Sequence, residues 1–282
     1  MKILVTGGSG QLGFDVCREL NHRGIEYTAP SSKEMEITDA NAVREQICAF
    51  RPDVVIHCAA WTAVDAAEDV PEWVFAVNEG GTRNIALACR NIGAKMLYAS
   101  TDYVFSGTGT HFYEPDDPTG PVNVYGKSKL AGEMIVKEIL EKYFIVRTSW
   151  NFGEHGSNFV KTMLQIAETR SEVCVVCDQV GSPTYTADLA PRLCKLVQTD
   201  HYGIYHITNK GVCSWAELAE EVFRLAKKSV KVKYVTSKQY PAKARRPRNS
   251  VLNNERPMGS AFSEMPEWKD ALERYLRTFK LD

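Results

Sequence analysis

The first half of the chain alternates short apolar runs with longer amphipathic stretches. Five runs are predicted strands, at 2–6, 25–29, 53–57, 95–100 and 144–148. Helical patterns lie near 11–22, 39–49, 70–92 and 123–142. Strands that alternate with helices pair in parallel, because each crossover helix returns the chain to the same edge of the sheet. The pattern predicts an α/β fold with a doubly wound, Rossmann-like parallel sheet.

The second half has a different rhythm. Helical patterns near 158–169, 186–198 and 214–227 accompany a predicted strand at 173–178. The stretch 229–262 is rich in Lys, Arg, Pro and Asn, which favours loops, and a last helix is predicted at 267–279. We therefore divide the chain into a dinucleotide-binding domain, 1–148, and a smaller substrate-binding portion, 149–282. Some elements of the second portion are expected to return to the sheet.

A glycine-rich turn follows the first predicted strand directly. Gly7, Gly10 and Gly13 are spaced by three, and Gln11 and Leu12 lie where the next helix opens. Glycines let the backbone approach a pyrophosphate at a helix N-terminus, since a Cβ would obstruct it. The position between a strand and a helix predicts that these five residues bind a dinucleotide.

The end of the second strand bears on the choice of dinucleotide. A carboxylate there typically binds the ribose hydroxyls of NAD, but this chain has Ser31, Ser32 and Lys33. Small hydroxyls and an ammonium suit a 2′-phosphate, so we predict NADPH as the cofactor, with NADH also accepted. Glu34 and Glu36 could reach the ribose and reduce that preference.

Three residues form a candidate catalytic group. Tyr125 and Lys129 are four apart at the start of a predicted helix, so they project from one face. A phenol titrates near pH ~10, and an adjacent ammonium is expected to lower its pKa. Thr101 ends the fourth strand, at the edge where such sheets bind ligands, and its hydroxyl could donate to a substrate carbonyl.

With these motifs in order, the chain resembles the extended short-chain dehydrogenase/reductase family over nearly its whole length, and within it the reductases of dTDP-linked 4-keto sugars. The segments that carry the resemblance are RPDV (51–54), AAWTAVD (59–65), STDYVF (100–105), NVYGKSK (123–129), RTSW (147–150), DQVGSPT (178–184) and ARRPRNS (244–250). The resemblance implies a nucleotide-sugar substrate whose C4 keto group is reduced with NADPH.

The resemblance also implies a role for each matching residue. Thr101 would bind the sugar carbonyl, Tyr125 would donate the proton, and Lys129 would support Tyr125 and the nicotinamide ribose. Further cofactor contacts are expected from Ala59, Ala60, Thr62, Glu36 and Ile37. Substrate contacts are expected from Asp102, Trp150, Arg245 and Arg246, with the 179–184 and 245–250 loops closing over the diphosphate. Asn78 matches a position that is structural at least as readily as catalytic.

Metal and redox chemistry find little support in the sequence. Cys174 and Cys177 form a CxxC pair, but on a predicted strand such positions point to opposite faces. The eight cysteines are expected to be buried thiols, and His57 and His206 core histidines. Some family members dimerise around a magnesium ion held by glutamates; here Asp15 fits one such position, but Ala187 replaces the second carboxylate. We predict no metal, and a homodimer stays open.

Several classes compete with a reductase. A dehydratase usually has a glutamate after the Thr-Asp pair, where this chain has Tyr103, and an epimerase usually has an acidic end to strand two. A non-catalytic module similar to the regulatory subunit of methionine adenosyltransferase is the alternative from another class. The net charge of −1 argues against a nucleic-acid partner. No signal peptide or membrane-length apolar run is visible, so we expect a cytoplasmic protein.

Overall fold

The structure is a computed structural model that describes residues 1–254 and 264–279. Its strands are β1 Lys2–Thr6, β2 Glu26–Thr28, β3 Val54–His57, β4 Lys95–Thr101, β5 Tyr143–Thr148, β6 Asn151–Phe152, β7 Glu172–Val176, β8 Val180–Gly181, β9 Thr184–Tyr185, β10 Gly203–His206, β11 Cys213–Ser214 and β12 Lys231–Val235. Its α-helices are α1 Gln11–His22, α2 Ala40–Phe50, α3 Val64–Ala67, α4 Pro71–Phe75, α5 Thr82–Ile92, α6 Val124–Ile139, α7 Phe159–Ala167, α8 Thr186–Leu196, α9 Trp215–Leu225 and α10 Trp268–Leu276.

A six-stranded parallel sheet with the order β10-β5-β4-β3-β1-β2 forms the centre of the protein. All four residues of β3 are buried, as expected of a parallel strand covered on both faces. From β1 the chain first adds β2 on one side and then adds β3, β4 and β5 on the other side. The direction in which strands are added therefore reverses between β1 and β3. The carboxyl ends of strands at such a reversal are where open α/β sheets bind ligands. The predicted doubly wound parallel sheet is confirmed.

Two apolar clusters cover the faces of this sheet. One packs α1 and α8 against it through residues such as Val16 and Leu193, and the other packs α2, α5 and α6 through residues such as Ile47, Ile85 and Val136. The sheet also takes a strand from the second half, since β10 pairs with β5. The division at 148/149 itself stays a prediction.

The second half forms a third apolar cluster around α7, α9 and α10. It also contains a strand where we expected loops: β12 pairs in parallel with β7. The prediction for 229–262 was therefore wrong at 231–235, because the alternating lysines of KVKYV belong to a strand with an exposed face and not to a loop. The part of that prediction that covers 255–262 lies outside the described residues.

The single helix predicted near 70–92 is three consecutive segments. Between α4 and α5 the chain forms a π-helical segment, Ala76–Gly81. A π-turn holds one more residue than an α-turn, and such segments are frequent at functional sites. Asn78 lies within this segment and is buried.

The cysteines differ from each other in their exposure. The eight cysteines are free thiols, but Cys48 and Cys174 are exposed, so the expectation that all are buried was wrong. Each lies on the outer face of an element whose other face is buried.

Among the described helices, none is long and apolar enough to cross a membrane.

A buried ion pair fixes α6 on the sheet. Arg147 on β5 donates from Nε and Nη2 to the two carboxylate oxygens of Glu133, at 2.9 and 2.7 Å. Ser100 on β4 donates to Glu133 Oε1 at 2.5 Å, and Arg147 Nη1 donates to the Pro115 carbonyl oxygen at 3.0 Å. Both charged side chains are at most 3% exposed. Removing either partner would leave a buried charge without its counter-ion.

We therefore expect Glu133→Gln to lower the free energy of unfolding by about 3–5 kcal/mol, the usual cost of breaking a buried pair. The matched control is Glu26→Gln, which removes the exposed Lys2–Glu26 pair and is expected to cost no more than about 1 kcal/mol. Urea unfolding of both variants measures the difference. Equal losses for the two would show that Arg147 does not depend on this carboxylate.

Candidate active site

The glycine turn packs directly against the end of β3. Gly7 has a φ of +69°, and a Cβ added there would lie 2.7 Å from the Ala59 amide nitrogen. A Cβ on Gly13 would lie 2.1 Å from the Gly7 carbonyl oxygen. Side chains are thus excluded at both positions, as the dinucleotide interpretation requires. Gly10 precedes α1 without any side-chain cap, so the first amides of α1 are available to an anion.

The two residues inside this motif have side chains engaged elsewhere. Gln11 Nε2 donates to the Asn151 carbonyl oxygen at 3.0 Å, and Gln11 Oε1 accepts from Asn158 at 2.9 Å. The Leu12 side chain packs in the core beneath the sheet. Their predicted contribution to cofactor binding is therefore confined to their backbone amides.

A cavity of about 290 Å³ opens beside the glycine turn. It brings together seven of the predicted cofactor residues, namely Gly7, Ser31, Ser32, Glu36, Ile37, Ala59 and Ala60. The cavity is also lined by Trp73 of α4, Val77 of the π-helical segment and Met35. These three residues were missed, because nothing in the sequence indicates that they face this space. Thr62 is exposed and is not among the lining residues.

Glu34 occupies the position where the 2′-phosphate selection was expected. Its Oε2 accepts hydrogen bonds from the backbone nitrogen and from the hydroxyl of Ser31, both at 2.8 Å. These bonds hold the pKa of Glu34 below its usual range. From the sequence we expected the Ser31 hydroxyl to be free to bind a phosphate. In the structure it donates a hydrogen bond to the Glu34 carboxylate.

Thr101 and Tyr125 meet at the carboxyl edge of the sheet. Thr101 ends β4, and its side chain accepts from the Tyr103 amide at 3.2 Å. Asn123 caps α6 by accepting from the Gly126 amide at 2.7 Å, which places Tyr125 in the first turn of that helix. The Thr101 hydroxyl acts to lower the pKa of the Tyr125 phenol, so the two groups lie near each other. The structure thus brings together the predicted hydroxyl and phenol.

Burial raises the pKa of Tyr125 to about 12, although the nearby Thr101 hydroxyl opposes the shift. This result contradicts our expectation that the Lys129 ammonium lowers the pKa of the phenol. The desolvation of the ring oxygen outweighs the favourable contacts. A phenol with this pKa stays protonated at neutral pH, which is the state that a proton donor needs.

Lys129 lies one helical turn beyond Tyr125 and is buried. Its Nζ donates to the Ala99 carbonyl oxygen at 2.7 Å and lies 3.9 Å from the centre of the Tyr98 ring. Burial lowers the pKa of Lys129 to about 7, while the nearby Glu133 carboxylate opposes that shift. The ammonium is therefore held against the strand that ends in Thr101.

Asp102 follows Thr101 and is also buried. Its Oδ1 accepts from the Thr101 hydroxyl at 3.0 Å. Burial raises the pKa of Asp102 to about 7, and the nearby Ser250 and Thr101 hydroxyls limit the rise. The carboxyl group changes its charge near neutral pH.

A buried hydrogen-bond chain links the two sides of the site. Thr6 at the end of β1 accepts from the Ala59 amide at 3.1 Å and lies 2.6 Å from His57 Nδ1. His57 Nε2 lies 3.1 Å from the Thr82 hydroxyl, which donates to the Asn78 carbonyl oxygen at 2.7 Å. Burial and the Lys129 charge lower the pKa of His57 to about 3, so it is a neutral core histidine, as expected.

Asn78 completes this chain. Its side chain accepts from the Trp61 amide at 2.8 Å and donates to the Ser128 hydroxyl at 2.9 Å. Ser128 in turn donates to the Tyr125 carbonyl oxygen at 2.8 Å. Asn78 therefore touches the helix of Tyr125 through Ser128, which supports the structural interpretation of this residue.

A larger cavity, of about 1090 Å³, opens beside the segment 240–249, and none of Thr101, Tyr125 and Lys129 lines it. Arg245, Arg246 and Arg248 all line it, together with the Ser106–Thr110 and Gln179–Val180 segments. The side chains of Arg245 and Arg248 are exposed, whereas the guanidinium of Arg246 pairs with both carboxylate oxygens of Asp65, at 3.1 and 2.6 Å. Arg248 belongs to the 245–250 loop that the resemblance places over the diphosphate, although only Arg245 and Arg246 were named individually as substrate contacts.

Trp150 is held by another aromatic residue. Its ring stacks on Trp215 with centroids 3.6 Å apart, and a Cβ on Gly181 would lie 2.6 Å from it. Trp150 also has a φ of +49°, a left-handed conformation that is rare for a bulky residue. Strained backbone of this kind tends to occur at functional sites. The predicted contact of Trp150 with substrate stays a prediction.

The candidate metal position has other partners. Asp15 is buried, pairs with Arg18 at 2.8 Å and accepts a hydrogen bond from the Thr186 hydroxyl. Within residues 1–254 and 264–279, no group of three or more His, Cys, Asp or Glu side chains is placed to hold a metal ion. The site thus offers hydroxyl, phenol and ammonium groups for chemistry.

A parallel sheet, a glycine turn at its reversal and a Thr–Tyr–Lys group on the neighbouring strand and helix define a dinucleotide-dependent reductase of the Rossmann type. The family model described as "RmlD substrate binding domain" matches residues 1–281. The chain belongs to this family.

Proteins with known names are similar to this chain over nearly its whole length. A dTDP-4-dehydrorhamnose reductase of Streptomyces griseus is 46% identical over 95% of this chain and 91% of its own length. The spore coat polysaccharide biosynthesis protein SpsK of Bacillus subtilis is 43% identical, covering 98% and 97%. The crystal structure of a dTDP-4-dehydrorhamnose reductase from Bacillus anthracis, in complex with NADP, is 42% identical and superposes with a TM-score of 0.95 over 99% of both chains.

The shifted pKa of Asp102 predicts a pH dependence of stability. The folded pKa of about 7 exceeds the ordinary value of 3.8, so between these pH values the folded protein keeps a proton that the unfolded chain releases. The contribution of Asp102 to stability therefore falls as the pH rises through this window. We expect Asp102→Asn to gain stability relative to the parent across the window and to level off above it.

Urea unfolding of both proteins at several pH values measures this difference. Asp116→Asn, an exposed position, is the control and is expected to give a difference that does not vary with pH. A flat difference for Asp102→Asn as well would show that the carboxyl group titrates normally.

Proposed function

We propose that this protein reduces the C4 keto group of dTDP-4-dehydro-L-rhamnose with NADPH and forms dTDP-L-rhamnose. The observation that carries the proposal is that Thr101 at the end of β4 and Tyr125 in the first turn of α6 lie at the carboxyl edge of the sheet, the edge at which the glycine turn and its cavity also lie. The names of the reductase relatives and the NADP complex of the Bacillus anthracis structure support it.

The smaller cavity fits the adenosine half of the cofactor. The turn of Gly7 and Gly13 leaves no space for a Cβ, so its backbone can approach a pyrophosphate, and the N-terminus of α1 favours the negative charge. Ser31 and Ser32 would lie at the 2′-phosphate, and Ile37 beside the adenine. The bound NADPH supplies the hydride for the sugar carbon.

The chain's own residues supply the proton and stabilise the charge. In the proposed reaction the Thr101 hydroxyl, which donates to Asp102 Oδ1 in this structure, turns to donate to the carbonyl oxygen as negative charge develops on it. Tyr125 donates its proton to the same oxygen, which its raised pKa permits because the phenol is protonated at neutral pH. Lys129, whose Nζ donates to the Ala99 carbonyl oxygen one helical turn beyond Tyr125, keeps its proposed contact with the nicotinamide ribose.

The larger cavity is suited to the nucleotide diphosphate of the substrate. Arg245 and Arg248 present exposed guanidinium groups to it, and arginine binds phosphate oxygens in a fork geometry. We therefore assign the diphosphate contacts to Arg245 and Arg248, and we no longer assign one to Arg246. Asp102 and Trp150 remain our proposed contacts of the sugar.

The competing classes fit this chain less well. Tyr103 follows the Thr-Asp pair, where a dehydratase needs an acid. The regulatory-module alternative predicts a protein that binds NADPH without turning over a sugar. Mixing the protein, NADPH and dTDP-4-dehydrorhamnose and following the absorbance of the reduced cofactor separates these classes. Binding of NADPH without its oxidation would contradict the proposed reaction.

We propose that the enzyme acts in the cytoplasm, since eight free thiols suit a reducing compartment. We also propose that residues 1–148 bind the dinucleotide and that most of 149–282 binds the nucleotide sugar. A homodimer stays a hypothesis that light scattering of the purified protein tests directly.

Tyr125→Phe tests the proton donor. We expect turnover to fall by about 10²–10⁴, the usual contribution of general acid catalysis, while the dissociation constant of NADPH stays nearly unchanged. Tyr143→Phe, at the opposite end of the sheet, is the matched control and should keep parental turnover. Turnover of Tyr125→Phe within a few-fold of the parent would rule out the assigned role.

Glu34→Gln tests the reading of the 2′ position. The Glu34 carboxylate lies on Ser31, so it repels a 2′-phosphate and can accept bonds from the ribose hydroxyls of NADH. Removing its charge is expected to strengthen NADPH binding relative to NADH by about threefold to tenfold, since exposed charge interactions contribute ~0.2–1 kcal/mol and bonds to charged groups somewhat more. Titration of both reduced cofactors gives the ratio. An unchanged ratio would mean that this loop does not read the 2′ position.

A further inference from the structure

The side chain of Trp73 lines the smaller cavity and is open to solvent. It lies on α4 and is 51% exposed, although an indole ring is among the largest apolar groups in proteins. Val74, the next residue, is fully buried and anchors α4 in the core. The backbone at Trp73 is therefore held in place, while its ring faces the cavity and the solvent.

The other four tryptophans of the chain have partners within the protein. Trp150 and Trp215 stack on each other, with ring centroids 3.6 Å apart. Trp61 donates from Nε1 to a backbone carbonyl oxygen at 3.2 Å, and a lysine ammonium lies 5.5 Å from the ring centre of Trp268. Among the residues that the structure describes, none is a stacking, cationic or hydrogen-bonding partner of the Trp73 ring. This ring is thus available to a ligand.

Three apolar side chains line the cavity together with Trp73, namely Met35, Ile37 and Val77. Val77 follows Trp73 by four residues, about one helical turn further along the chain. Ile37 packs tightly on the same stretch, because a Cβ on Gly81 would lie 2.8 Å from its Cδ1 atom. The end of the π-helical segment therefore holds Ile37 next to the helix that carries Trp73.

Another part of the lining is polar. Ser31, Ser32 and Glu36 offer hydroxyls and a carboxylate, which suit a ribose and its 2′-phosphate. The apolar set suits a flat heteroaromatic ring, since every nucleobase has a π-face that an aromatic side chain can cover. The cavity therefore has the two chemistries that an adenosine with a 2′-phosphate requires.

The reacting end of the cofactor belongs outside this cavity. Of the catalytic group, neither Thr101, Tyr125 nor Lys129 lines it. Gly7 of the glycine turn does line it, so a pyrophosphate at that turn would lie at the border of the cavity. The base that Trp73 can reach is therefore adenine and not nicotinamide.

We propose that Trp73 is a cofactor-binding residue that covers the adenine base of the bound dinucleotide. The inference rests on the proposed function, since it takes NADPH as the ligand of this cavity. Because the buried Val74 fixes α4, the Trp73 ring is in position before the cofactor arrives, and little ordering of the protein is required on binding. The contact should therefore contribute to the affinity for the cofactor and not to the chemical step.

Trp73→Ala tests this contact by binding. Titration calorimetry with NADPH and with 2′,5′-ADP, its adenosine half, gives the two dissociation constants. We expect both to rise by the same factor, of about fivefold to a hundredfold, the usual loss when an aromatic ring that stacks on a base is removed. Trp73→Phe keeps a ring and should recover most of the lost affinity. The dissociation constant of dTDP, a probe of the substrate site, should stay parental.

Fluorescence tests whether the Trp73 ring itself meets the base. An adenine in contact with an indole should quench part of the tryptophan emission when 2′,5′-ADP binds to the parent. Trp73→Phe retains the other four tryptophans, and it should bind 2′,5′-ADP without this quenching. The same quenching in Trp73→Phe would contradict the proposal.

Val70→Ala is the matched control. Val70 precedes α4, is 39% exposed and is not among the residues that line the cavity. Its carbonyl oxygen accepts from the Val74 amide at 3.1 Å, a bond that the substitution keeps. We expect parental dissociation constants for all three ligands. Equal losses in Val70→Ala and Trp73→Ala would mean that a displacement of α4 weakens binding, which overturns the direct contact.

Two further results would overturn the proposal. Weaker binding of NADPH with parental binding of 2′,5′-ADP would place Trp73 on the other half of the cofactor. Parental affinities in Trp73→Ala, beside a change of mass in light scattering, would make Trp73 part of an interface between two copies of the chain.

The proposed reaction and this inference can fail separately. A parent that binds NADPH and 2′,5′-ADP but does not oxidise NADPH with the keto sugar contradicts the proposed reaction alone. A parent that binds neither ligand contradicts the cofactor, and the role of Trp73 is then rejected with it.

Discussion

The site depends first on the buried ion pair between Glu133 and Arg147. Both charged side chains are buried, so separating them would leave an unpaired buried charge, and the pair therefore holds α6 against β4 and β5. Tyr125 and Lys129 are on the same helix as Glu133, and Ser100, which donates to Glu133, precedes Thr101. The pair therefore fixes both catalytic elements, and the charge of Glu133 also acts on the pKa of Lys129.

A chain of buried hydrogen bonds connects the strands of the sheet to the helix that carries Tyr125. The chain of contacts from Thr6 through His57 and Thr82 to Asn78 crosses from the end of β1 to the helix of Tyr125. These contacts thus link the end of β1, where the glycine turn begins, to the helix that carries Tyr125. A neutral His57 suits this purpose, because a charge there would oppose the burial of Lys129.

Burial has opposite effects on the titrating groups of the site. It raises the pKa of Tyr125 and Asp102 and lowers that of Lys129, so each group favours its uncharged form. A reductase needs a donor that still holds its proton when the carbonyl oxygen becomes negative. The burial of Tyr125 keeps the phenol protonated, as its proposed role as the proton donor requires.

The sequence by itself determined the parallel sheet, the glycine turn and the Thr101–Tyr125–Lys129 group, because periodicity and spacing act over a few residues and set which way each side chain points. The carboxylate of Glu34 on Ser31 and the raised pKa of Tyr125 were not predicted, since loop conformation and burial decide them. Only the tertiary structure placed Trp73 on the cofactor cavity, β10 in the sheet and Arg246 on Asp65. Such contacts join residues far apart in the chain, and their formation depends on how every intervening element packs.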